Sequence, residues 1–363
     1  MADDFARFDQ AVDEYLVRHY TVDRRRALLG AGGFDAPLAA ELADLGWYSL
    51  AVPEAEDGLG VPLSDLGGMF MQAGRHLLIG PLLENTLLPA LLQRSGDGEG
   101  SDALAAAVRT GVPVALVDPG VSDDCSTDLG SVSLTGGRLH GSVAAARFAQ
   151  HASLLAVVAG SVLCLVDPRA DGVRISALRS ADPAVSFGRV DLTGVHVDAV
   201  VGRDDTELIT RIRAWARLFL ACELDGLARS SLDRTVQHLK TREQFGRPIG
   251  AFQALAHIAA DMHTASSGLH SLCLAALADA GDATDVAELE LVAVSAKAHA
   301  AGTAVRICED AIQLHGGMGF TTESDVSWYY KRAVALRAWY GDEQELHRRI
   351  GAALLDRATE TLA

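Results

Sequence analysis

The texture of the chain changes twice, and the two changes limit what it can fold into. From Phe5 to about Thr110 apolar residues recur at helical intervals, punctuated by Pro37, Pro53, Gly58, Pro62 and the Gly80-Pro81 pair. From Val112 to about Gly202 the pattern becomes short runs of Val, Leu and Ala between Gly, Pro and Asp: Val114 to Val117, Leu154 to Val158, Val162 to Val166 and Val195 to Val201. Runs of that length and spacing read as strands of a small barrel or sandwich. From about Glu207 to Ala363 the helical interval returns, with Leu224, Ala228, Leu232 and Val236 stepping by four. The expectation is an α+β chain: an N-terminal helical domain over 1–111, a middle β domain over 112–202 and a C-terminal helical domain over 203–363. The Gly- and Ser-rich stretch from Ser95 to Ser101 reads as a surface loop.

Two short segments interrupt the C-terminal helices. Thr241-Arg-Glu-Gln-Phe-Gly-Arg-Pro-Ile-Gly250, followed by Ala251-Phe252-Gln253, joins a helical run ending near Lys240 to another read from Ala254 through Met262. It gathers a cation, an amide and an aromatic ring at one tight connection, which suits a large anionic planar ligand. Downstream, an alanine-rich helix ends in Gln313-Leu-His-Gly-Gly-Met-Gly-Phe-Thr321, where glycines let backbone amides approach phosphates or a heterocycle. Each residue also has a plainer role open to it. Arg242 could pair with Glu243 at a helix end, Phe245 and Phe252 could pack in the core, and His315 could cap a helix C-terminus.

Charge and cysteine usage exclude several classes. The 363 residues are 22% charged and 49% hydrophobic, as in a soluble globular protein of two or three domains. A formal charge of -17 repels nucleic acid, although local arginines can still hold a coenzyme. Cys125, Cys164, Cys222, Cys273 and Cys308 are odd in number and widely spaced, so they read as buried apolar fillers rather than a disulfide framework or metal site. Met1-Ala-Asp-Asp-Phe5 has neither a basic flank nor an apolar run, and no stretch is apolar enough to span a bilayer. A cytoplasmic location is expected.

The two C-terminal segments, in this order and spacing, resemble those of the acyl-CoA dehydrogenase family. Leu45-Gly-Trp-Tyr-Ser-Leu-Ala-Val-Pro-Glu54 with Gly58-Leu-Gly60, and Ala73-Gly-Arg-His-Leu-Leu-Ile-Gly-Pro81, look like its opening helical domain. The resemblance implies the helix, β, helix order and a FAD cofactor. Members remove a hydrogen pair from the α and β carbons of a CoA thioester. That needs a base for the α proton, donors for the enolate-like thioester oxygen, and a flavin as hydride acceptor. By position, the residues implied to touch FAD, from a neighbouring subunit, are Arg242, Gln244, Phe245, Gln253, Gln313, Gly316 and Gly317.

The resemblance fails at the base. Most members carry a glutamate in a Tyr-Glu-Gly-Thr segment, and the matching stretch here, Trp339-Tyr-Gly-Asp-Glu-Gln-Glu-Leu-His-Arg348, has Gly341 in its place. Others carry it on the helix leading into the RxxFG segment, where this chain has Ala216, followed by the retained Arg217. Neither can take a proton, so no catalytic residue is assigned. Asp342 and Glu343 are conceivable substitutes, with Glu345 beside them, whereas Glu223 is two turns beyond Ala216, about 10 Å along the axis. In the β segment the family's Thr-Glu-Pro-Gly-Ala-Gly-Ser-Asp-like loop is Val117-Asp-Pro-Gly-Val-Ser-Asp-Asp124, and its Trp-bearing segment is Gly141-Ser-Val-Ala-Ala-Ala-Arg-Phe-Ala-Gln150. Pro119-Gly120 persists, while the hydroxyl and tryptophan do not.

An intact pair of neighbour-reaching segments beside an eroded pocket resembles the base-less subunit of the bacterial α2β2 acyl-CoA dehydrogenases, several of which oxidise steroid side-chain CoA thioesters. The expected partners are a second subunit carrying the glutamate, an acyl-CoA substrate, and electron-transfer flavoprotein as electron acceptor. The alternatives are a self-sufficient homo-oligomeric flavoenzyme with an unusual base, and a non-catalytic CoA-thioester-binding scaffold.

Overall fold

The computed structural model describes residues 2–30, 33–94, 104, 108–121, 130–202, 204–321 and 324–362. The loop read at Ser95 to Ser101 and Cys125 lie outside them. Contacts divide the chain into two compact units, one formed by Met1–Thr21, Gly67–Leu78 and Arg217–Ala363, the other by Val22–Leu66 and Ile79–Ala216.

The second unit contains α2 (Val22–Gly30), α3 (Ala36–Asp44), α5 (Leu82–Arg94) and all the long strands. These are β1 (Val114–Val117), β2 (Gly130–Thr135), β3 (Arg138–Arg147), β4 (Leu154–Ala159), β5 (Val162–Val166), β6 (Val173–Leu178), β7 (Phe187–His196) and β8 (Ala199–Gly202). They form two four-stranded sheets, β1-β4-β5-β8 and β2-β3-β7-β6. Val117, Leu155, Val157 and Val166 of the first sheet and Leu139, Val143, Val190 and Leu192 of the second meet in one apolar cluster, the arrangement of a sandwich. Asn85 ties α5 to the edge of the first sheet: its Oδ1 accepts from Val114 N at 3.0 Å, and its Nδ2 donates to the Val112 carbonyl at 3.3 Å.

The other unit is helical: α1 (Ala2–His19), α4 (Gly67–His76), α6 (Thr206–Thr241, from Arg217 onward), α7 (Gln253–Asp282), α8 (Val286–His315), α9 (Val326–Ala338) and α10 (Glu343–Leu362). Two glycines let α4 and α6 touch backbone to backbone. A Cβ on Gly74 would lie 2.0 Å from the Glu223 carbonyl oxygen, and one on Gly226 would lie 1.9 Å from that of Met71. The Phe70 and Phe219 rings stack beside this crossing, centroids 4.2 Å apart. Along α8, Ala293, Ala296, Ala300, Ala304 and Ala311 are buried, a small-residue surface that α7, α9 and α10 pack against. Cys164, Cys222, Cys273 and Cys308 are buried, as fillers are. Among the described residues no helix is long and apolar enough to cross a membrane.

Three details differ from the sequence reading. The run from Val195 to Val201 is not one strand but divides between the end of β7 at His196 and β8 from Ala199, which lie in different sheets. The helix after Phe252 does not stop near Met262 but continues to Asp282, because Met262, Ser266, Leu269, Cys273, Ala276 and Leu277 keep a buried face at steps of three and four. The strands β2 and β6 have no continuous apolar run, and in β3 the run from Val143 to Ala146 follows a polar, mostly exposed start. Exposed residues interrupt all three, Ser131, Ser133, His140 and Arg174 among them.

Candidate functional site

The Thr241 to Gly250 segment folds as a miniature hairpin. Residues Glu243–Gln244 (β9) pair antiparallel with Arg247–Pro248 (β10), Gln244 opposite Arg247, so the loop is Phe245-Gly246 alone. Both loop residues have positive φ, 53° and 78°, as a type I′ turn requires. The hairpin closes through Ile249 N donating to the Arg242 carbonyl at 2.8 Å. Phe245 is 91% exposed, which excludes core packing, and it meets Phe252 edge to face at 6.1 Å. The Arg247 guanidinium lies 4.2 Å from the centre of the Phe252 ring. Gln253, which starts α7, is exposed. The Gln244 side-chain amide donates to the Glu243 carbonyl at 2.8 Å.

The second segment follows the end of α8. Gly316 leaves the helix at φ 61°, and Gly316–Phe320 form a tight 3-10 turn. Gly319 is forced by packing, since a Cβ there would lie 2.6 Å from the Ile312 carbonyl oxygen. Gly316 and Gly317 differ, because a Cβ on either would meet open space. Gln313 is exposed on the last turn before them.

The structure brings these two segments together through a pair the sequence reading missed. The His238 ring of α6 stacks on the His315 ring of α8, centroids 4.3 Å apart and 20° from parallel. His315 Nδ1 donates to the Ala311 carbonyl at 2.8 Å, so this ring does bond a carbonyl of its own helix while its face meets the other segment. Burial lowers the pKa of His238, and the charges of His315 and Arg242 lower it further. Arg234 and His238 lie one turn apart on α6, and Arg242 follows the helix's last residue, its amide donating to the His238 carbonyl at 2.9 Å. Among the described residues Arg242 has no carboxylate partner, Glu243 included. The Arg234 Nε is buried without a hydrogen-bond partner, while its Nη1 lies 3.6 Å from Asp325. A guanidinium with no carboxylate partner among the described residues, exposed aromatic and amide side chains, and a glycine turn open to an incoming group fit a dinucleotide's pyrophosphate and heterocycle.

The place of the family's base is built differently. Gly341 has φ 101°, and a Cβ on it would lie 2.7 Å from Leu346 Cδ2. Two buried basic side chains hold the loop around it. Arg217 Nε donates to the Tyr340 carbonyl at 3.0 Å while its Nη1 grips both Glu290 oxygens at 2.8 and 2.9 Å. Lys297, wholly buried on α8, donates from Nζ to the carbonyls of Arg337 and Gly341, each at 3.1 Å. Burial first, and the nearby Arg217 charge second, lower its pKa to about 7 against the opposing pull of Glu343, Asp342 and Glu345. The two positions at which members carry the glutamate thus feed one loop, through Arg217 behind Ala216 and through Gly341 itself. The conceivable substitutes all have structural partners. Asp342 Oδ1 caps α10, accepting from the amides of Gln344 and Glu345 at 2.9 Å. Glu343 pairs with Arg337, Glu345 with Arg349, and buried Glu223 with Arg332 at 2.8 Å.

In the β-rich unit, Asp118 takes the Arg213 guanidinium in a fork, Nε to Oδ2 at 2.8 Å and Nη2 to Oδ1 at 2.7 Å, and also accepts from the Gly120 amide at 2.8 Å. A Cβ on Gly120 would lie 2.1 Å from Arg213 Nη2, so the glycine that persists here accommodates an arginine of the same chain. Gly141 lies on β3 against β2, where a Cβ would be 1.9 Å from the Ser131 carbonyl oxygen.

Comparison with known proteins places this architecture. The family model "Acyl-CoA dehydrogenase, C-terminal domain" matches residues 207–355. FadE34 of Mycobacterium tuberculosis is 33% identical over 332 residues, which cover 88% of this chain; the chain spans only 43% of that relative's length. FadE28 of the same organism is 28% identical, with 85% of this chain and 89% of the relative covered. Among solved structures, a variant of the Tcur3481–Tcur3483 steroid ACAD superposes with a TM-score of 0.89 at 25% identity, covering 99% of each chain. The ChsE4–ChsE5 complex of M. tuberculosis gives 0.88 at 25% identity and 97% coverage of each. From its motifs, its architecture and these relatives, the chain belongs to the acyl-CoA dehydrogenase family.

Proposed function

We propose that this chain is the base-less subunit of a heteromeric acyl-CoA dehydrogenase, with 1–111, 112–202 and 203–363 as its three domains, and that it completes a FAD site on a partner subunit that carries the glutamate. The observation that supports this most is the contrast between its two motif regions. The Gly341 backbone has a positive φ that strains any side chain, a Cβ there would press on Leu346, and two buried basic side chains hold the loop around it. The hairpin instead presents an exposed aromatic ring, and the Gly316-Gly317 turn has open space beside it. Two of the superposing structures are themselves described as a paired steroid ACAD and a two-protein complex, which favours a heteromer and a bulky, steroid-like acyl group.

In this reading Arg242 would meet the pyrophosphate, Gly317 would offer a backbone amide, Gly316, whose own amide donates to the Gln313 carbonyl, would keep the turn open, and Gln244, Gln253 and Gln313 would supply amide contacts. Phe245 would cover an apolar part of the cofactor. When bound, the flavin supplies the hydride acceptor that no side chain can offer. This chain's residues bind and orient it, and exclude water from one side of it. The α proton goes to the partner's carboxylate. Electrons then leave through electron-transfer flavoprotein, and the location is cytoplasmic.

The test is an absorption spectrum from about 300 to 550 nm together with native mass, taken on the chain alone and after co-expression with a family member carrying the glutamate. The expected result is a colourless chain alone and a yellow heterotetramer with flavin on half of its subunits. A yellow homo-oligomer bleached by a CoA thioester would overturn the reading.

A further inference from the structure

The stacked histidines lie in a row of basic groups. Arg234 and His238 lie one turn apart on α6, Arg242 follows its last residue with its amide on the His238 carbonyl at 2.9 Å, and His315 packs on His238 from the end of α8. Among the described residues the one carboxylate paired to this row is Asp325, 3.6 Å from Arg234, whose guanidinium also lies 5.2 Å from the centre of the Tyr329 ring. Beyond His315 the Gly316-Gly317 backbone is open. In His315 the Ala311 carbonyl can only accept, so Nδ1 holds the proton and Nε2 is the nitrogen free to gain one.

We propose that the His238–His315 pair is the proton-accepting part of an anion subsite bounded by Arg234, Arg242 and the Gly316-Gly317 turn, and that it takes up a proton when the pyrophosphate of a dinucleotide binds. The inference rests on the reading that these segments hold FAD, and it adds a proton to that binding. Without a ligand, a second charge on the stack is disfavoured. Burial lowers both pKa values, with His315 and Arg242 acting further on His238, and with Arg234 acting on His315 against the bond to Ala311. A pyrophosphate brings negative charge to the same spot and reverses the balance, since an opposite charge within a few ångströms favours the imidazolium. The bound state then holds more protons than the free state, so affinity falls as pH rises, by at most about tenfold per unit for each proton taken up. A flavin pyrophosphate and a CoA pyrophosphate share this chemistry, and the assignment made here is to the flavin.

The experiment uses the assembled complex depleted of flavin and titrated with FAD, and separately with CoA, in a calorimeter. Titrations run near pH 6.5 and pH 7.5, each in two buffers of different ionisation enthalpy. The expected result is net proton uptake on FAD binding, weaker affinity at the higher pH, and no uptake with CoA. His238→Gln together with His315→Asn, the latter keeping a donor for the Ala311 carbonyl, should abolish the uptake and flatten the pH dependence. FAD heats independent of buffer in the unmodified complex would overturn the proposal, as would uptake persisting in the double variant or appearing with CoA alone. Arg242→Ala serves as the control on the underlying reading. It should weaken FAD roughly ten- to a hundredfold at both pH values, as loss of a charge-assisted contact does. Unchanged affinity in that variant would remove the flavin reading itself, whereas a weakened variant with buffer-independent heats would remove only the proton. If the double variant does not fold, proton-coupled shifts of the His238 and His315 resonances on FAD addition, read by NMR in the unmodified complex, decide the same point.

Discussion

Gly341 shows how a missing functional group can be fixed in the backbone as well as in the side chain. At φ 101° any other residue is strained, and its Cβ would press on Leu346, itself fully buried. Gly341→Ala should therefore cost about 1–3 kcal/mol, seen as a lower denaturant midpoint with an unchanged slope. Gly341→Glu should lose at least as much and create no turnover in the assembled complex. An unaltered midpoint in either would mean the loop has room after all. Lys297, which the sequence displays only as a lysine in an alanine-rich helix, is the second determinant of this loop. Its partners lie 40 and 44 residues away, so no local pattern could announce them. With its pKa lowered to about 7, the folded chain holds this amine neutral over a pH range in which the unfolded chain keeps it protonated. The unfolded state then binds the extra proton, so the contribution of Lys297 to stability rises between about pH 7 and pH 10, by no more than about 1.4 kcal/mol per unit, and is flat below. Urea titrations across that range should show the difference between the unmodified chain and Lys297→Met growing with pH. Parallel profiles would show that the amine stays charged in the fold.

At the scale of elements, legibility followed local periodicity. The strands β1, β4 and β5 are buried apolar runs and could be read directly, whereas β2, β3 and β6 have one exposed face and look like loops until their partners are known. The Thr241 to Gly250 joint was legible as a tight connection, yet its hairpin was not, because a type I′ loop is normally signalled by Asn-Gly rather than Phe-Gly. The link from α6 to the loop after β1 was also invisible, since Asp118 and Arg213 are 95 residues apart. Asp118 is 1% exposed, so removing the guanidinium leaves a buried carboxylate whose one remaining partner among the described residues is the Gly120 amide. Arg213→Ala should cost about 3 kcal/mol, the lower end for a broken buried pair because the Arg213 side chain is 26% exposed. Asp118→Asn keeps an acceptor for that amide and should lose less than Asp118→Ala. Equal losses in the two Asp118 variants, measured by thermal and chemical unfolding, would show that the amide contact contributes nothing.

For the whole molecule, the helix, β, helix order was readable because composition changes near residues 112 and 202, and the family because two segments recur in order. What could not be read is which surfaces are left uncovered, since exposure depends on the completed fold. Phe245 is 91% exposed and Phe320 78%, one in each motif segment. A single exposed apolar residue is ordinary. Phe245, however, also sits at φ 53° in a turn position that favours asparagine, so the chain gives up local stability to keep an aromatic ring in water. Local consistency is given up in this way mostly at functional sites. The two demands can be separated by Phe245→Asn. In the isolated chain this variant should fold as well or slightly better, by up to about 1 kcal/mol, because the turn gains its preferred residue and no buried contact is lost. In the complex it should weaken association with the partner subunit and lower flavin retention, read by native mass and by the flavin absorbance that stays with the protein after gel filtration. A less stable isolated chain would show that Phe245 is structural after all. A variant that assembles and keeps flavin like the unmodified protein would show that the ring faces neither partner nor cofactor.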